Sequence, residues 1–182
     1  MDQRFDALVA ASNIIIKVNE IAELSSGLMH SSVGRMDIYP NSPNTVAEKA
    51  NLWIEFRSAD EVGLDAAEEE LRIFVTKLRE KTRCSFEETN REIRQVVKFD
   101  KHAFNKVCDA MNKSKIPHLK MTTIAGHDAL QLQSICPSTL IFVPSKDGIS
   151  HSPNEFTSEI DIKNGFEASL VAISALIMKT NS

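Results

Sequence analysis

Cysteine is scarce in this chain. Cys84, Cys108 and Cys136 are far apart and odd in number, which excludes a disulfide framework and a paired-cysteine metal knuckle. They read as small hydrophobes in a reducing, cytoplasmic setting. No apolar run approaches the roughly 20 residues needed to cross a bilayer. The opening stretch, MDQRFDALVAAS, has neither the basic start nor the apolar core of a secretory leader. No cluster of Lys and Arg is interleaved with aromatics, and a formal net charge of −4 works against a nucleic-acid partner. No internal repeat or low-complexity tract is present. Membrane and nucleic acid are therefore set aside as partners.

What is present is ordinary globular material. With 182 residues and 42% hydrophobic content, the chain can build one or two packed domains. Residues 3–24 read as an amphipathic helix, with Phe5, Leu8, Val9, Ser12, Ile15, Ile16 and Ala22 at spacings of three and four. Residues 28–39 read as an irregular strand. Residues 45–57 are a clearer one, with Leu52, Ile54 and Phe56 facing one way and Asn51, Trp53, Glu55 and Arg57 the other. The turn-rich Pro40-Asn41-Ser42-Pro43-Asn44 between them predicts antiparallel pairing. A second helix is expected over 62–81, with Leu64, Ala67, Leu71, Phe74, Val75 and Leu78 inward. Its Glu68-Glu69-Glu70 run reads as a solvated face whose position suits the helix dipole. Residues 83–99 read as a strand with Val97 and Phe99 inward and Ile93 a weaker candidate.

Asp100 is the expected cap of a helix over 101–114 that carries Phe104, Val107, Cys108 and Met111 inward. Short strands are expected at 118–123 and 138–143, a helix at 129–135, and a final helix at 161–179 with Phe166, Leu170, Val171, Ser174 and Ile177 on one side. The charge balance changes near residue 100, from a net −5 over residues 1–100 to +1 over 101–182. The fold class is α+β: a two-layer domain over 1–100, an antiparallel sheet with two helices on one face, then a partial α/β segment over 101–182. The apolar strand at 138–143 wants neighbours on both sides, which the chain does not obviously supply.

Chemistry concentrates in the loop PSKDGISHSPNEFT, residues 144–157, which follows that strand, and in Ala125-Gly126-His127-Asp128, which precedes it. Two histidine-bearing loops flanking one buried strand form one side of a candidate cleft. His151 is the strongest single metal-ligand candidate, suited to Zn²⁺, Mn²⁺, Co²⁺ or Ni²⁺. A plain loop histidine is the alternative reading. His127 and Asp128 could orient an acid–base group from a loop. Ser150-His151 is not a nucleophile dyad, because adjacent residues do not give the required geometry. Arg57 offers a guanidinium suited to a planar carboxylate or carbamoyl group, and Asn44 an amide donor and acceptor. From the residues alone, the plainer reading of both is as surface or turn residues.

The segments GRMDIYPNSPNTVAEKANLWIEFRS, AGHDAL and IFVPSKDGISHSPNEFT resemble the M20 metallopeptidase-like amidohydrolases, closest to the N-carbamoyl-L-amino acid hydrolase and allantoate amidohydrolase group. The resemblance implies a metal-dependent amidohydrolase with a dinuclear centre and a smaller lid domain that carries dimer contacts. It implies that residues 1–100 are the lid and 101–182 the C-terminal part of the catalytic domain. His151 then matches the last metal-binding histidine. Asn44 and Arg57 match lid residues that hold the carboxylate or ureido end of the substrate, and His127 and Asp128 lie in a segment that lines the cleft. Ala47 departs from the proline common at that place.

The family's other metal ligands, its bridging aspartate and its general-base glutamate have no counterpart in these residues, and neither does a lid-entry His-Ala-Gly segment. The expectation is a portion of an amidohydrolase that is inactive alone. Two other readings stay open: a non-catalytic dimerisation protein derived from the lid, and a peptidase or deacetylase relative.

Overall fold

The computed structural model describes residues 4–177, and the chain separates into two compact units. The first holds the residues up to Val96 together with Thr122–Ala125. The second holds Val97–Met121 and the residues from Gly126 onward.

The first unit runs α1 (Ala7–Leu24), β1 (Met29–Tyr39), β2 (Lys49–Ser58) and α2 (Glu61–Thr82). Asp6 caps α1, its carboxylate accepting from the amides of Leu8 and Val9. Asp60 does the same for α2 through Val62. The strands pair antiparallel with an irregularity between Val33 and Arg35. The β2 alternation is as the sequence predicts: Leu52, Ile54 and Phe56 pack against the helices, and Asn51, Trp53, Glu55 and Arg57 are exposed. Ile14 and Val18 of α1 meet Leu78 of α2, with Leu71, Phe74 and Val75 packed around them. Arg35 stacks its guanidinium 4.4 Å from the centre of the Trp53 ring on the exposed face.

In the second unit, α3 (Lys101–Lys113) and α5 (Glu159–Ile177) pack together through Val107, Met111, Ala168 and Ala172, with Ile116 and Ile141 against them. Asp100 caps α3 as expected, accepting from the Ala103 amide at 2.6 Å. A short helix α4 (Asp128–Leu132) and a single 3-10 turn (Lys146–Gly148) lie between. Residues 138–143 run beneath α5. A side-chain carbon on Gly165 would sit 2.3 Å from Val143 Cγ1, so only glycine permits this approach. None of the described helices is long and apolar enough to cross a membrane.

Several sequence expectations fail here. Residues 83–99, 118–123 and 138–143 form no strand. A strand is defined by its neighbours, and the single sheet among the described residues is the β1–β2 pair. Ile93 and Val97 are exposed accordingly. The helices at both ends exist, but with other faces inward. In α1 the buried residues are Ala10, Ala11, Ile14, Val18 and Ile21, while Leu8, Val9 and Ile16 are exposed, as is Phe5 just before the helix. In α5 they are Ala168 and Ala172, while Phe166, Leu170 and Ile177 are exposed. Both helices are apolar around much of their circumference, so periodicity alone does not select a face, and the small alanines allow the closest approach. Residue 3 of the first predicted helix and residues 178–179 of the last lie outside the described residues.

Candidate functional site

The second unit contains a hollow of about 470 Å³ at the end of the 138–143 stretch, lined among others by His127, Phe142, Ser145, Ser150, His151 and Glu155. His127 stands at the N-terminus of α4 in extended conformation, φ −140°. Its ring meets Phe142 edge-on with centroids 5.0 Å apart. Its Nε2 is buried and makes no hydrogen bond within the protein. A buried ring nitrogen with no partner is costly unless something enters the hollow to meet it. Asp128, next in sequence, is exposed in the first turn of α4 and is not among the lining residues.

His151 is exposed and held at φ 55°, in the left-handed region that favours glycine. The loop sustains this through its own bonds. Glu155 Oε2 accepts from the His151 amide at 2.9 Å. The Lys146 amide donates to the Phe156 carbonyl at 2.7 Å, and the Ser145 hydroxyl donates to the Ile149 carbonyl. Asp147 also takes a positive φ, which turns the chain sharply within the 3-10 turn. The loop is therefore a closed structure that presents an imidazole, not a slack connection.

Arg57 and Asn44 belong to the first unit and sit at opposite ends of β2. Asn44 lies in the β1–β2 connection, and both residues are exposed. Arg57 Nη2 donates to Glu55 Oε2 at 2.8 Å. That hydrogen bond raises the Arg57 pKa above its ordinary value, against desolvation, with the Glu55 charge adding and Arg94 opposing. Across the sheet, Arg57 faces His30. The sequence places Glu55 on the face of Arg57 but does not name it as its partner, and it does not point to His30. The period-2 alternation gives the Glu55–Arg57 neighbourhood, whereas His30 needs the strand register, which the sequence does not fix.

Among the described residues, no group of three or more His, Cys, Asp or Glu side chains is placed to hold a metal ion. His127 and His151 share the hollow, but one oxygen of Glu155 is already engaged by a backbone amide. This donor set does not fit a complete metal centre.

Residues 7–175 match the family described as Peptidase family M20/M25/M40. An N-carbamoyl-L-amino acid amidohydrolase of Geobacillus stearothermophilus is 29% identical over 182 residues, covering 92% of this chain and 41% of that protein. A ureidoglycolate hydrolase of Arabidopsis thaliana is 26% identical over 180 residues, covering 97% of this chain and 37% of that protein. The crystal structure of a hydantoinase/carbamoylase-family amidase from Burkholderia multivorans superposes with a TM-score of 0.85 at 28% identity, over 99% of this chain and 44% of that chain. The chain spans between 37 and 43% of the length of the curated relatives it matches.

Proposed function

Because the chain belongs to peptidase family M20/M25/M40, we propose that it is the substrate-gripping portion of an amidohydrolase acting on N-carbamoyl-L-amino acids, allantoate or a related ureido acid. The observation that supports this most is the agreement between site and relatives. A hollow carrying two imidazoles is built from segments that match proteins named for carbamoyl, allantoate and ureidoglycolate substrates.

In this reading Arg57 binds the substrate carboxylate. Its bond to Glu55 uses one of five guanidinium donors and leaves the others for a ligand. Asn44 supplies an amide donor and acceptor to the ureido end. Buried Nε2 of His127 meets a polar atom of the substrate, and Asp128 stands beside it at the start of α4. His151 contributes a single ligand to a divalent centre of Zn, Mn, Co or Ni, which would supply an activated water when complete. The remaining ligands and the water-activating carboxylate lie outside these residues, so the 182-residue chain alone is inactive. The first unit acts as a lid and carries the contact to a second copy. The three free cysteines suit a cytoplasmic location.

The test is a chimera in which these residues replace the matching part of the G. stearothermophilus enzyme. The expected result is metal-dependent hydrolysis of N-carbamoyl-L-amino acids or allantoate by the chimera and none by the 182-residue chain. A folded chimera that turns over none of these substrates would contradict the reading, and so would metal-dependent turnover by the chain alone.

A further inference from the structure

On the open face of the β1–β2 hairpin, Arg57 is not the only guanidinium. Arg94 lies in the segment that follows α2. On one side of it Arg91 pairs with Glu68 of α2, and on the other the Val96 amide donates to Glu61 Oε1 at 3.3 Å. Arg94 is thus held from both sides along the first half of α2. The hydrogen bond to Glu92 and the Glu92 charge raise its pKa above the ordinary value against desolvation, and the Glu55 charge adds to them. The Arg94 charge also reaches Arg57, where it opposes the rise that the Glu55 hydrogen bond causes. Two guanidiniums therefore share the neighbourhood of one carboxylate.

Neither arginine is saturated by its partner. Arg94 donates to Glu92 through Nε at 2.9 Å, and Arg57 donates to Glu55 through Nη2. A guanidinium has five N–H donors and takes a carboxylate best through two parallel bonds. Both acidic partners stand two residues away on the same segment, and exposed pairs of this kind add little stability, so a ligand anion can compete with them. Like charges held near one another on a surface gain from an anion placed between them. Glu55 already serves in that way as an internal carboxylate. His30, across the strands from Arg57, adds an exposed imidazole to the same face.

We propose that Arg94 is a specificity-determining residue: it takes a second carboxylate of the substrate while Arg57 takes the first, so the preferred substrate is a ureido acid with an acidic side chain. Resting on the reading of Arg57 as the carboxylate-binding residue, this narrows the substrate class. A neutral side chain leaves Arg94 to solvent. An acidic one meets a guanidinium with donors to spare, held in place by the ties of Arg91 and Val96 to α2. One charge-assisted contact is worth roughly 10- to 100-fold in selectivity.

In the chimera with the G. stearothermophilus enzyme, kcat/KM is measured for N-carbamoyl-L-aspartate and for N-carbamoyl-L-asparagine, which share a shape and differ by one charge. A preference for the diacid of about tenfold or more is expected at low salt. Arg94→Gln should bring it close to parity. Arg72→Gln, at an exposed arginine of α2 paired with Glu69, should leave the preference as it is. A second measurement needs no turnover. The 182-residue chain is titrated with each compound while the guanidinium Nε–H resonances are followed by NMR. The Arg57 and Arg94 signals are expected to move together and to saturate at about a tenfold lower concentration with the diacid. Hydrolysis of the asparagine derivative as fast as the aspartate derivative overturns the inference and leaves the proposed function standing, and so does a preference that survives Arg94→Gln. A folded chimera without turnover contradicts the proposed function instead, and the titration then decides. An Arg94 signal that ignores the diacid, or equal saturation by the two compounds, overturns the inference.

Discussion

Gly165 is fixed by contact, not by a turn. Its missing side chain lets α5 close on Val143, where an added carbon would sit 2.3 Å from Cγ1. Gly165→Ala is therefore expected to destabilise the second unit by about 1–3 kcal/mol despite alanine's better helix propensity, measured by denaturant unfolding. Asp6 makes a different kind of contribution. Desolvation works to raise its pKa, but the hydrogen bond from Arg4, those from the Val9 and Leu8 amides, and the Arg4 charge outweigh it and hold the pKa below 3.8. A carboxylate with a lowered folded pKa stabilises fully above its unfolded value and loses that contribution as pH falls through the folded one. The cap thus helps α1 at neutral pH and fails only in acid below about pH 4. Asp6→Ala should cost about 1 kcal/mol at pH 7, and the gap to the native chain should close in thermal melts taken well below that pH. His151, at φ 55°, is also held by a neighbour. Removing the Glu155 carboxylate with Glu155→Ala is expected to release the 144–157 loop, read as faster amide exchange at His151.

The helices and the hairpin differ in how plainly the sequence declares them. The alternation of Leu52, Ile54 and Phe56 with Trp53, Glu55 and Arg57 specifies β2 and its buried face. Likewise, the spacing from Leu64 to Leu78 specifies α2, and Asp100 specifies the start of α3. The faces of α1 and α5 are not legible, because each offers two apolar stripes and tertiary packing chooses between them. Segments 83–99 and 138–143 read as strands from their side chains alone, yet pairing depends on partners that side chains do not announce. At the site, the two flanking loops point to His127 and His151 together. Burial of His127 Nε2 and the left-handed backbone at His151 emerge only from the three-dimensional arrangement. Element ends carry a prediction as well. Arg83 closes α2 in left-handed conformation at φ 57°, where glycine is unstrained. Arg83→Gly should stabilise the first unit by about 0.5 kcal/mol, seen as a small rise in melting temperature.

At the scale of the molecule, the described residues divide into two units with separate duties. One displays Arg57, Glu55 and His30 on the open face of a hairpin. The other holds two imidazoles around a hollow and leaves one side of α5 uncovered. We propose that each, taken by itself, is a holding part of an amidohydrolase whose water-activating groups come from elsewhere. The sharpest consequence concerns Arg57, because a guanidinium that grips the substrate carboxylate must discriminate for that group. The measurement is kcat/KM, in the chimera with the G. stearothermophilus enzyme, for an N-carbamoyl-L-amino acid and for the same molecule lacking its carboxylate. A charge-assisted contact is worth roughly 10- to 100-fold, so Arg57→Ala should shrink the preference for the acid by that factor. A preference that survives the substitution unchanged would contradict the account.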